Sequence, residues 1–346
     1  MTDKARAPAH NPTMIGPGLS ARLSHAAPIL IVIGLMLAGL VLIGSPQSWL
    51  TLTVAGLAMG MMIFIMASGM TLVFGLMDVI NFGHGAFISA GAFIGITILA
   101  QLTGLTAAGS LFSNILAVLI AIAGAMAATA VIGYVFEKLI IQPVYGHHLK
   151  QILTTMGGLI IAEQLIYVFW GPDAIYAPRP DALKGSVMIF GAAIEKYRLL
   201  AVGIGILLFL GMRYVLNSTK IGLLVRAGVE NGEMVEALGY RIGRLFILVF
   251  MTGSALAGLG GVMWALYEET ITAQMGNDIM IHVFITIIIG GLGSVGGSFV
   301  GALIAGLLAN YAAFLFPKLA LVSNIALMVI ILMWRPQGLY PVVRTK

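Results

Sequence analysis

The sequence predicts an all-α fold, a polytopic transmembrane helix bundle of about ten spans, and three observations predict it. Only 31 of the 346 residues are charged (Lys+Arg 18, Asp+Glu 13), where a soluble globular chain of this length would carry roughly 86. Sixty per cent are hydrophobic, and the mean hydropathy is +1.05. From Ala27 to Phe136 the one charged residue is Asp78. Small domains lack the interior to hide such a run, whereas a bilayer is crossed by about 20 apolar residues. A soluble enzyme, a nucleic-acid binder and a secreted disulfide scaffold are excluded together, and lipid is the surrounding partner. The chain has no cysteine, so thiol chemistry and thiolate metal sites are excluded too.

Residues 1–26, with Pro8, Pro12 and Pro17 and no apolar periodicity, read as a mobile cytoplasmic tail. The apolar stretch that follows lacks an A-x-A-like exit and reads as a retained first span. Residues 27–346 form a single transmembrane domain. Apolar runs between polar or Gly/Pro punctuation place spans near 27–44, 50–74, 84–101, 113–136, 151–170, 199–216, 245–267, 279–293, 298–316 and 319–334. The eighth is short, and eight crossings plus re-entrant segments is the alternative. With a cytoplasmic amino terminus, 13 of the 18 basic residues fall in cytoplasmic segments and five outside: Arg179, Lys184, Lys196, Arg198 and Lys318. Cytoplasmic loops collect Lys and Arg, so both termini are expected inside. Two loops are long: an external one, 171–198, turn-rich at Pro172, Pro178 and Pro180, and a cytoplasmic one, 217–243.

Glycine makes up 44 residues. Helices in lipid associate through close backbone approach, so Gly293, Gly297 and Gly301 read as a packing ridge, as do Gly253, Ala257 and Gly261. Gly91/Gly95 and Gly56/Gly60 are shorter examples. Two glycine-rich breaks interrupt the apolar pattern, Gly75–Gly85 and Gly290–Gly297. Non-helical backbone at membrane depth persists where protein buries it or where it lines a cavity, and broken helices mark routes in transporters. Asp78, Asn81, Phe82 and His84 in the first break and Ser294 in the second are therefore expected to line a solute route; the competing reading has Asp78 or Asn81 capping the third span. Glu163, deep in the fifth span, reads as route lining, a buried interhelical hydrogen bond or a proton relay.

Residues 217–243 carry the densest mixed charge. Ile221, Leu224 and Val225 share one helical face, and Met234, Val235 and Leu238 share another beyond the Asn231–Gly232 turn. Two short amphipathic helices ended by Gly239 are expected. The acidic set Glu230, Glu233 and Glu236 argues against lipid binding, which favours basic faces, and for a protein docked from the cytoplasm.

The run EALG from Glu236 to Gly239, followed by Arg241-Ile-Gly243, resembles the coupling loop of ABC importer permeases. The VINFGHGAF run from Val79 to Phe87 resembles the hallmark of the branched-chain amino acid permease family, as do Ile152–Gly157 and Gly290–Gly301. Many relatives carry an acid after the His-Gly pair, where this chain has Ala86. The resemblance implies one permease subunit of an ATP-driven importer in a bacterial inner membrane. Its implied partners are a second homologous permease, two cytoplasmic ATPases and an extracytoplasmic solute-binding protein. The implied solutes are branched-chain amino acids or a related amino acid, amide or organic acid. Arg226, Glu230, Glu233, Glu236, Ala237, Gly239 and Arg241 would form the ATPase-coupling surface. The chain has no phosphate-loop motif, so ATP and Mg are expected in the partner subunits, with no cofactor and no enzymatic activity here. The alternatives are a self-sufficient secondary transporter or channel using Glu163 or Asp78 as an ion or proton site, and an intramembrane enzyme, for which no H-x-x-x-H or serine–histidine–acid spacing exists.

Overall fold

The computed structural model describes residues 19–230 and 232–340; the side chains of 19–26, 229, 230, 233 and 321 lie outside the description. In order, the helices are α1 Leu19–Ile43, α2 Pro46–Met77, α3 His84–Gln101, the single turn α4 Thr103–Thr106, α5 Leu111–Phe136, α6 His148–Trp170 and α7 Lys196–Ser218. They continue as α8 Lys220–Glu230, α9 Gly232–Ala237, α10 Ile242–Glu268, α11 Met275–Gly290, α12 Val295–Leu315 and α13 Pro317–Trp334. Seven are long and apolar enough to cross a membrane, and Ala27–Ile43, Met275–Gly290 and Val322–Trp334 are shorter apolar helices. These ten coincide with the ten expected spans.

Two boundaries differ from the sequence reading. Helix α1 begins at Leu19, so the last eight residues of the expected tail are helical; residues 1–18 lie outside the described residues. The eighth span is one unbroken helix of 16 residues, about 24 Å at 1.5 Å per residue. Its start follows β4 (Thr270–Ile271), paired to Ile175–Tyr176 of the 171–198 loop, but its first turn packs on Gly85 and Ser89 of α3; its end, Gly290, lies with the second break, which touches the far end of α2. It therefore begins inside the bundle, beside the first break, and ends at the second.

Packing sorts the helices into an inner and an outer set. About two thirds of the central windows of α2, α3, α10 and α12 are buried, against 22% for α6 and 11% for α7. Glycine decides which helices go inside. A Cβ at Gly91 would collide with the backbone of Gly258, one at Gly69 with Gly253, and one at Gly60 would stand 2.6 Å from the Ala302 carbonyl. These contacts hold α3 to α10, α2 to α10 and α2 to α12 at backbone separation. A buried Thr71–Ser298 hydroxyl pair at 2.7 Å adds a polar tie between α2 and α12. Of the expected ridge, Gly297 and Gly301 pack α12 on α11, but Gly293 lies outside the helix in a left-handed turn (φ 82°).

The 171–198 loop is ordered. β1 (Ile175–Tyr176) pairs antiparallel with β4, and β2 (Ser186–Ile189) forms a hairpin with β3 (Ala192–Glu195). Arg179 fastens it. Its guanidinium donates to the carbonyls of Leu266 and Tyr267 at 2.7 Å, pairs with Glu195 and Glu269 at 3.0 Å, and lies over the Tyr197 ring. Arg198 pairs with Glu195 and Lys184 with Asp181. The Asp181 carboxylate, hydrogen-bonded to the Lys184 ammonium, holds it above the usual lysine value. Three of the five basic residues expected outside are thus paired locally.

Candidate functional site

Helix α2 stops because Asp78 turns left-handed (φ 52°) while its N–H still donates to the Phe74 carbonyl. A short aspartate tolerates this conformation better than most residues. Asp78 therefore ends the second span, and α3 starts from Gly83 with no side-chain cap. Of the two residues expected to cap the third span, Asn81 makes no side-chain hydrogen bond to it. The Asp78 carboxylate is half-exposed, 4.0 Å from His148 Nε2.

Between the helices, Phe82 donates its N–H to Thr155 Oγ1 on α6 and packs its ring on Phe284 of α11 at 4.8 Å. His84 is buried, with Nε2 2.9 Å from the Met66 carbonyl. A carbonyl only accepts, so Nε2 carries the proton, and the ring ties the start of α3 to the middle of α2. Asn81 is 1% exposed, and neither its Oδ1 nor its Nδ2 has a hydrogen-bond partner. A buried amide left unpaired is costly. Nothing in the residue pattern marked it as unpartnered.

The second break meets the first. A Cβ at Gly75 would stand 3.2 Å from Gly293 Cα. Ser294 caps α12, its Oγ accepting from the Gly297 N–H at 3.1 Å. The open end of α11 is closed from an unforeseen quarter: the N–H groups of Leu339 and Tyr340 donate to the carbonyls of Ile289 and Gly290 at 2.9 Å, supplying partners for carbonyls that a helix end leaves bare. Asp78 and the second break thus lie at one end of α2, while His84 reaches back to its middle. Glu163 does not join them. It lies half-buried on the peripheral helix α6, where its notable electrostatic neighbour is Asp278 near the start of α11.

At the break side of the bundle, α8 and α9 form the expected hairpin. Gly222, Val225 and Gly228 face inward, and a Cβ at Gly228 would meet Leu76 of α2 at 3.3 Å. Val235 is buried, but Ile221, Met234 and Leu238 of the two apolar stripes are 61–71% exposed, as is Leu223. The short helices seat only their small residues against the bundle, which leaves the larger ones facing out. Arg226, Glu236, Ala237 and Arg241 are exposed, and Gly239 ends the hairpin at φ 87°. Glu230 and Glu233 sit on α8 and α9 with side chains outside the described residues, as is Asn231. An open cavity of about 470 Å³ lies beside them, lined by Leu224, Val235, Tyr240, Arg241 and Leu245. Nearby, at the turn before α6, the buried Glu137 accepts from Tyr145 at 2.6 Å; burial, then that carboxylate, pushes the phenol up, so it stays a donor. Among the described residues no group of three or more His, Asp or Glu could hold a metal ion.

The two breaks meet beside an outward-facing hairpin, and sequence comparison decides the family. The model for the permease component of the branched-chain amino acid transport system matches residues 52–333. The chain belongs to this family. It is 27% identical to the high-affinity branched-chain amino acid transport permease BraD of Pseudomonas aeruginosa, over 83% of this chain and 94% of that one. It is 25% identical to LivH of Escherichia coli K12, over 82% and 92%. A solved ABC transporter in an inward-facing conformation overlays 90% of this chain and 98% of its own, with TM-score 0.46 at 15% identity. The protein is accordingly a multi-pass transport permease subunit, of a family that works with ATPase and binding-protein components.

Proposed function

We propose that this permease forms half of the route of an ATP-driven importer for branched-chain amino acids, with a second homologous permease beside it. Two ATPases would dock on the α8–α9 hairpin from the cytoplasm, both termini lying on that side of a bacterial inner membrane, and a solute-binding protein would dock outside. Residues 27–346 act as one permease domain. The observation that carries the reading is the outward face of the hairpin: exposed Leu223, Met234 and Leu238 beside the exposed carboxylate of Glu236. Apolar side chains ringed by charge in a short rigid turn suit a protein socket better than water or lipid. A Cβ at Gly228 would touch Leu76, and Gly75 touches Gly293, so a push on the hairpin reaches both breaks. Asp78, Asn81, Phe82, His84 and Ser294 would then shape the inner gate. Glu163, on a helix mostly uncovered by the rest of the chain, supports a second permease on that face, since an acid turned to lipid is costly. ATP and Mg would bind only in the partners.

The test is leucine uptake by the complete complex in proteoliposomes. With Glu236→Lys or Gly239→Val, the complex should assemble and hydrolyse ATP while uptake falls at least about tenfold, a loss of roughly 1.4 kcal/mol of coupling. Unchanged uptake would refute the hairpin assignment. Gradient-driven transport by the isolated chain, indifferent to ATP, would establish the secondary-transporter alternative instead.

A further inference from the structure

The β2–β3 hairpin presents a tip that its turn chemistry does not explain. Ile189 pairs with Ala192, so Phe190 and Gly191 are the two central residues, both left-handed at φ 49° and 79°. Such tight turns favour Asn-Gly or Gly-Gly; a phenylalanine adopts this conformation rarely and at a cost in strain. The side chain so placed is 92% exposed, and Met188, two residues earlier on the same strand, is 66% exposed. The outer strand β2 stays open along its length, while Ala192 and Ile194 of β3 are buried.

The position of the hairpin says what covers this tip. Its base joins the first residue of α7, with the Lys196 N–H donating to the Gly185 carbonyl. Its other strand lies on the first turns of α2: Thr51 Oγ1 donates to the Ala193 carbonyl at 3.3 Å, and a Cβ at Gly191 would lie 3.5 Å from Gln47 Cγ. Two spanning helices therefore begin at its two ends, and the hairpin lies across their first turns. The ten residues 185–194 carry no charge. Five residues before Gln47, α1 ends in exposed Val41 and Leu42, so the tip continues an apolar surface that already faces lipid. A docking knob for a protein would be expected to carry charge at its rim; Phe, like Trp and Leu, is the kind of side chain that interfacial segments bury at the boundary of headgroups and acyl chains.

We propose that the β2–β3 hairpin is an interfacial membrane anchor, with Phe190 and Met188 inserted at the boundary between headgroups and acyl chains of the outer leaflet. It fixes the height of the external loop, and with it α2 and α7, against the membrane surface.

The chain has no native cysteine, so Phe190→Cys and, outside the strained turn, Met188→Cys each accept a single environment-sensitive fluorophore. The complete transporter is placed in nanodiscs of phosphatidylglycerol and phosphatidylethanolamine, with or without lipid spin-labelled near the carbonyl. At both positions the lipid quencher should remove about half the emission, as for a group a few ångströms below the headgroups, and aqueous iodide should have little effect. Iodide quenching without lipid quenching would overturn the proposal. So would protection from both quenchers that depends on the solute-binding protein, which would make the tip a protein contact. Met188→Cys carries the test should the turn not tolerate replacement of Phe190. The outcome is independent of which solute is carried and of how ATP is coupled.

Discussion

At Arg179 one guanidinium closes three pieces of chain, the first half of the 171–198 loop, the last turn of α10 and the strand that leads into α7. Its side chain is 13% exposed, so loss of the fork strands Glu195 and Glu269 with poorer partners. Arg179→Ala should lower unfolding stability by about 3 kcal/mol, read as a fall in Tm of the purified protein in detergent. Arg179→Lys should recover only part of it, because an ammonium cannot reach two carbonyls and two carboxylates at once. Asn81 predicts the opposite pattern. Its amide is buried without a partner, so Asn81→Ala should leave Tm unchanged or raise it, while uptake falls. Equal losses of stability and uptake would make Asn81 a plain structural residue. The sequence showed Arg179 only as an exception to the charge rule for loops, and its partners lie too far along the chain to be paired by spacing. His84 and Asn81 were legible as polar residues in a broken apolar run; that one is bonded and the other is not depends on the middle of α2, which no local pattern reports.

Among the elements, the spans were legible because each needs a long apolar run whatever its neighbours do. The glycine spacing also carried over: Gly91 meets Gly258, and Gly69 meets Gly253. Gly91→Leu should therefore drive α3 from α10 and abolish the folded complex, whereas Gly34→Leu, on open α1 with nothing within 4 Å, should be silent; size-exclusion profiles separate the two. The hairpin stripes were less legible. A helical face that is apolar can be turned to the bundle or to a partner, and periodicity alone does not choose. In α8 the small residues Gly222 and Gly228 go inward and Ile221 and Leu223 outward, because Gly222 lies against the backbone of Val215 and Leu216 and Gly228 against the Leu76 side chain. The same ambiguity hid the end of α11, whose carbonyls are satisfied by a segment about fifty residues later.

For the whole molecule, the two faces of the bundle carry different devices. One holds the stapled loop and the hairpin over α2 and α7, the other both breaks and the α8–α9 hairpin. The separation makes a prediction that neither face makes alone. Cysteines placed at positions 75 and 293 lie within reach of a disulfide, whose Cβ atoms stand about 3.8 Å apart. Oxidising a Gly75→Cys, Gly293→Cys protein should stop uptake while leaving ATP hydrolysis running, and reductant should restore it. Continued uptake by the oxidised form would show that the two breaks stay together throughout the cycle. The backbone contact itself has a further consequence. With no side chain between them to cushion or slip, the two turns behave as one latch: a partial release of either would open bare peptide groups on both. Leakage through a half-open gate is thereby made expensive, and opening becomes an all-or-none event set by a pair of hydrogen atoms where any other amino acid would have placed a methyl.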